Sequence, residues 1–146
     1  MTALKFRNLD ASPDDPVESW PFEGIVTAIE RGTLPDWHRL AEAVDADPWG
    51  PVAQQVSQAV HLSRLYGSAR LFEMVVAEAR RSAAEAERAE VGSEIRSLVA
   101  RSGLTQTAFA AQIGTSAPRL STYLTGKVTP SAALMVRIRR VIERQQ

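Results

Sequence analysis

Apolar residues along this chain return every three or four positions and almost never in strict alternation. That period predicts helices and leaves no strand-like alternation of useful length, so the expected fold class is all-α. Pro21 precedes Phe22, Ile25, Val26 and Ile29, which share one helix face, and Gly32 closes the segment. Leu34-Pro35-Asp36 opens a second helix with Trp37, Leu40, Ala41 and Val44 inward, stopped at Asp47-Pro48. After Trp49-Gly50-Pro51 a third helix carries Val52, Val56, Ala59 and Val60, and Tyr66-Gly67-Ser68 marks the next break. Residues 1–18 hold Pro13, Pro16 and four acids with little periodicity, and are expected to form an extended or flexible arm.

From Ser68 to about Ser102 there is no proline, and the segment reads as helix almost throughout. Leu71, Phe72, Val75, Val76 and Ala79 give its start an apolar face. Arg80 to Glu90 is alanine with alternating charge, the composition of a helix that needs little packing. Gly92-Ser93 either breaks this helix, with Ser93 as a cap, or lies inside one long helix. Ile95, Leu98 and Val99 then begin a C-terminal domain. Thr129-Pro130 starts its last helix, with Leu134, Met135, Ile138, Val141 and Ile142 apolar. The expected organisation is an arm (1–18), an N-terminal helical region (19–67), a connecting helix (68–92) and a C-terminal domain (93–146). There is no internal repeat.

The stretch Gly103 to Ser131 is the most informative. Gln106 to Ile113 predicts a short helix with Phe109, Ala110 and Ile113 on one face. Gly114 ends it where a left-handed backbone is cheap only for glycine. Ser116 caps the next helix, with Pro118 in its first turn, where a missing N–H costs little. Leu120, Tyr123 and Leu124 restore an apolar face, and Gly126 ends the second helix. A small residue (Ala110), a glycine four positions later and apolar residues six and nine beyond that glycine is the spacing of a helix-turn-helix.

At these residues the sequence resembles the phage-repressor-like (XRE) helix-turn-helix family. Leu104-Thr105-Gln106 opens the first motif helix in the family's manner, and Ala110, Gly114 and Ser116 fall on its small residue, turn glycine and cap. Tyr123 stands where an aromatic is usual, and Gly126-Lys127 followed by Pro130-Ser131 matches the loop into the next helix. The resemblance covers about Glu94 to Arg144. Thr115, usually larger and apolar, and Ala117-Pro118, usually polar, depart from the pattern.

The resemblance implies double-stranded DNA as partner. The second motif helix would lie in the major groove, with side chains near its start reaching base edges. The exposed candidates are Ser116, Ala117, Pro118, Arg119 and Thr122, and by resemblance the commonest base-reading positions are Ala117, Pro118 and Thr122. Ala117 and Pro118 offer no side-chain hydrogen bond, only contact with a thymine methyl. Arg119 suits guanine or phosphate, because its planar fork matches two acceptors; otherwise it is a surface arginine over the helix end. By resemblance Gln106 contacts a phosphate and braces the recognition helix; the plainer reading is a first-turn polar residue. Thr125 and Lys127 are candidate phosphate contacts, Lys127 being equally readable as solvated loop charge. Arg137, Arg139 and Arg140 form a basic cluster on the last helix that meets either DNA backbone or the acidic half of the chain. Repressor-like proteins bind as dimers on two half-sites, so a homodimer is expected.

Charge fits this reading. Residues 95–146 hold eight Lys or Arg against Glu143 alone, a net of +7, and residues 1–94 carry −7, although the whole chain is neutral. The basic part suits phosphates, and the acidic part suits a different partner. With no cysteine, thiolate metal sites, disulfides and cysteine catalysis are excluded. His38 and His61 lie on separate helices, and neither a HExxH, a glycine-rich phosphate loop nor a nucleophile elbow occurs, so no enzyme, cofactor or metal site is expected. Trp20, Trp37 and Trp49 read as core residues, with an aromatic-lined pocket as the alternative. No secretory or membrane-spanning pattern is seen, so a cytoplasmic location is expected. The leading reading is a sequence-specific transcriptional regulator, a dimeric repressor. The alternative is an antitoxin-type protein whose acidic N-terminal half binds a partner protein while the C-terminal domain autoregulates.

Overall fold

A computed structural model describes residues 3–145. Among these residues there are seven α-helices, one short 3-10 turn at Val17–Ser19 and no strand. The chain is all-helical, as the apolar period predicts, and divides into two compact units between Ala83 and Ala84.

In the N-terminal unit, α1 (Phe22–Arg31), α2 (Leu34–Ala46), α3 (Pro51–Leu62) and the first part of α4 (Gly67–Ser102) enclose one core. Ile25, Ile29, Leu40, Val44, Val56 and Phe72 are its fully buried members. Thr33 and Asp36 form a reciprocal capping box at the start of α2, satisfying helix-end N–H groups that would otherwise lack partners. Buried Ser63 donates to Glu30 and Ser68 donates to the Ile29 carbonyl, tying the α3–α4 turn to α1.

The segment expected to be an extended or flexible arm has no regular helix over residues 3–16 and is docked on the core. Val17 is buried, Leu4 and Phe6 pack on the core, and Phe6 meets Trp20 edge-on at 5.2 Å. Arg39 donates to the carbonyls of Pro13 and Asp15 at 2.5 and 2.7 Å. Prolines suppress helix here but do not prevent docking, which three apolar side chains and one arginine accomplish. The tryptophans also divide: Trp20 is buried, Trp37 half-buried, and Trp49 54% exposed with Arg80 stacked 4.8 Å from its ring. Trp49 is therefore a surface residue rather than core. Leu71, counted in the apolar face at the start of α4, is 44% exposed, because Phe72, Val76 and Ala79 already fill the buried side of the helix.

α4 continues without interruption through Gly92. Its C-terminal part, with α5 (Gln106–Ile113), α6 (Ala117–Leu124) and α7 (Ala132–Glu143), makes the second unit. Ile95, Phe109, Ile113, Leu120, Ile138 and Val141 centre its core. Residues 84–92, expected to belong to a connecting helix, are part of this unit, because Gly92 packs on the turn after α6. The last helix begins at Ala132 with Ser131 as its cap, two residues later than Thr129-Pro130 suggests. Ser131 accepts from the Leu134 N–H, and an oxygen in that position fixes the start more firmly than the proline does.

Candidate nucleic-acid interface

The C-terminal unit owes its geometry to three local devices. Thr105 accepts from the Ala108 N–H at 3.1 Å and starts α5. Gly114 ends α5 at φ 78°, where the Thr115 N–H reaches back to the Ala110 carbonyl. This closes the helix with a left-handed residue that a side chain would strain. Ser116 then accepts from the Arg119 N–H at 3.3 Å and starts α6 with Pro118 in its first turn. Phe109, Ala110 and Ile113 of α5 face Leu120, Tyr123 and Leu124 of α6 inside the same core. Ala110 is 1% exposed, leaving no room at the contact for a larger side chain.

With its apolar side inward, α6 turns its other side to solvent. Ser116, Pro118 and Arg119 are exposed, while Ala117 and Thr122 are half-buried. Among the described residues the Arg119 guanidinium has no hydrogen-bond or ion-pair partner and is free to meet an anion. Thr122 donates to the Arg119 carbonyl at 2.6 Å and Thr125 to the Thr122 carbonyl at 3.2 Å, so both hydroxyls are engaged as donors within the helix and keep lone pairs outward. Gln106 at the start of α5 and Thr125 at the end of α6 line the same open groove, together with Ser121 and Arg96. Lys127 is exposed beyond α6, without a partner among the described residues. The eight candidates therefore lie on α5, α6 and the adjoining turns of one unit, with Gln106 and Thr125 brought together although 19 positions apart.

Three residues play supporting roles that the sequence does not show. Arg96 of α4 donates to the Leu124 carbonyl and holds the end of α6. Arg137 of α7 donates to the Ile113 carbonyl at 2.9 Å and braces the turn between α5 and α6. Gly92 lets α4 approach the Tyr123 and Leu124 carbonyls so closely that an added Cβ would lie 3.0 Å from each. These contacts join residues 24 or more positions apart, and nothing local in the sequence signals them. The basic cluster on α7 is thus divided: Arg137 caps α5, Arg139 pairs with Glu94 at 3.2 Å on the surface, and Arg140 is exposed without a partner among the described residues. Arg137→Ala is expected to cost about 1 kcal/mol, the typical net worth of one hydrogen bond. A urea midpoint measured on the purified variant checks it, and an unchanged midpoint would remove the brace.

A family model described as a helix-turn-helix domain matches residues 77–145. The C-terminal unit is a helix-turn-helix domain. The comparisons with curated proteins and with solved structures gave no match. The match begins within α4, before the division at Ala84, and runs through α5 and α6 into the end of the chain's last helix, α7. Among the described residues no three His, Asp or Glu side chains gather as metal ligands would, and no helix is long and apolar enough to cross a membrane.

Proposed function

We propose that the protein is a sequence-specific DNA-binding transcriptional regulator of the phage-repressor-like (XRE) type, acting in the cytoplasm as a dimeric repressor and carrying no enzymatic activity. The observation that carries this is α6: capped by Ser116, anchored by Leu120, Tyr123 and Leu124, with Ala117, Pro118 and Arg119 in its first turn and Thr122 one turn further on. A helix held this way enters the major groove with its first turn against base edges. Arg119 has the geometry for guanine O6 and N7, or for a phosphate. Ala117 and Pro118 provide an apolar surface for a thymine methyl. Gln106, Thr125 and Lys127 would contact the flanking phosphates, whose neutralisation releases counterions and makes binding fall with salt.

Titration of DNA from upstream of its own gene against scrambled DNA, over a salt series, tests the reading. Specific binding that falls steeply with salt is expected. Arg119→Ala should weaken it by about 1–3 kcal/mol, the range for one bidentate base contact. Equal binding to both DNAs, or none at low salt, would sink it.

The antitoxin-type reading draws on the N-terminal unit. There Leu62, Leu65 and Tyr66 are 69, 100 and 44% exposed around the α3–α4 turn, on the acidic part of the chain. Exposed apolar side chains of this size commonly mark a protein-docking surface. Under this reading the N-terminal unit engages a partner protein while the C-terminal domain represses.

A further inference from the structure

Within the N-terminal unit, α4 turns a complete face to solvent. Gly67, Arg70, Leu71, Met74, Glu78 and Arg81 lie along it, and all are exposed. Spacings of three and four from Gly67 to Leu71, Met74, Glu78 and Arg81 keep this stripe on one side, the spacing of a helix-pairing seam. Its centre is apolar: Met74 is 62% exposed and Leu71 44%. Leu71 also rims an open groove with Leu34 of α2, itself 60% exposed, over Trp37 and Val75. Its flanks are charged and of opposite sign, with Arg70 four residues before Met74 and Glu78 four residues after it.

That symmetry of spacing identifies the occupant. We propose that this face of α4 is the homodimer interface, paired antiparallel with α4 of a second copy about a two-fold axis at Met74. A two-fold interface must be complementary to itself, and this stripe is. Antiparallel pairing centred on Met74 sets Met74 against Met74 of the second copy. It brings Arg70 of the second copy level with Glu78, within the reach of a long guanidinium side chain, and the same pairing recurs on the other side of the axis. Leu71 of the second copy packs beside Ala77 and the aliphatic stem of Glu78. Parallel pairing would instead bring Arg70 to Arg70 and Glu78 to Glu78, which repel. Glu78 is bonded to Arg81 at 2.7 Å on the surface, and that hydrogen bond and charge lower its carboxyl pKa. The proposal names the interface of the dimeric regulator and rests on that reading only for the need of two copies.

The chain has no cysteine, so Met74→Cys introduces a single thiol. Helices packed about 8–10 Å apart, each with Cα atoms on a cylinder of about 2.3 Å radius, place residues on the axis within disulfide range. The full chain carrying Met74→Cys should oxidise to a covalent dimer, while Gln58→Cys, exposed on α3, should not. Sedimentation of the DNA-free protein should give a dimer for the wild type. Met74→Glu, Arg70→Glu and Glu78→Arg should each weaken it by about tenfold or more through like charges or a buried carboxylate. The double exchange Arg70→Glu with Glu78→Arg should restore it, with helix content unchanged throughout. A monomeric wild type, no preference of position 74 for cross-linking, or a dimer indifferent to Met74→Glu would overturn the interface. A dimer that obeys these substitutions but binds no specific DNA would overturn the regulator reading and leave the interface standing.

Discussion

Phe109→Ala is expected to unfold the C-terminal unit while leaving the N-terminal one folded. Phe109 is 0% exposed and sits in α5 at the centre of the second core. Truncating a buried phenylalanine costs about 3–5 kcal/mol, from lost apolar burial and the cavity left behind. At roughly 0.05–0.15 kcal/mol per residue, a unit of this size has about 3–9 kcal/mol in total. The loss is comparable with the whole. The chain carries its own reporter for this test, because Trp20, Trp37 and Trp49 all lie in the N-terminal unit and the C-terminal unit has none. Circular dichroism should show an early loss of helix in urea, and tryptophan fluorescence should keep its wild-type transition. Specific DNA binding should vanish with the early transition. A single transition at the wild-type midpoint in both signals would show that Phe109 does not hold this core.

The second expectation reverses what helix propensity suggests. Gly92 lies inside α4, where replacement of glycine by a good helix former ordinarily stabilises by up to about 1 kcal/mol. Here the neighbours are backbone: a Cβ at Gly92 would stand 3.0 Å from the carbonyls of Tyr123 and Leu124 and 3.2 Å from the Gly126 nitrogen. They belong to the end of α6 and its following turn, which Arg96 also fixes, so they have little freedom to withdraw. Gly92→Leu is expected to destabilise the C-terminal unit by about 3 kcal/mol, the upper end of what overpacking costs. Gly92→Ala should fall well below it in effect, yet still fail to stabilise. Both should displace the turn that carries Thr125 and Lys127, so DNA affinity should fall beyond what loss of folded protein explains. Chemical denaturation alongside DNA titration measures the two effects. A Gly92→Ala variant more stable than wild type would mean that propensity outweighs the close approach.

These two positions differ in how far the sequence exposes them. Phe109 is legible as core from its place beside Ala110 and Ile113 in a three-four pattern. So are the bounds of α5 and α6, because Thr105, Gly114 and Ser116 act on their own neighbours through helix-end hydrogen bonds that depend on local sequence. The same logic places the eight candidate residues on the motif. The grouping of Gln106 and Thr125 in one groove comes only with the packing of α5 on α6.

Period and local hydrogen bonds are written in the sequence, and they yield an all-helical chain, its helices, the helix-turn-helix and the opposite charges of its two parts. Contacts between residues far apart in the chain come only with folding. Folding docked the N-terminal segment through Arg39, carried α4 through Gly92, and set Arg137 on the α5 end rather than outward. It also left Leu71 and Met74 exposed on α4, although the pattern counts Leu71 in the same apolar face as buried Phe72 and Val76. A hydrophobic period specifies that a face is apolar. Whether that face is covered depends on how many other helices reach it, and no local pattern contains that number.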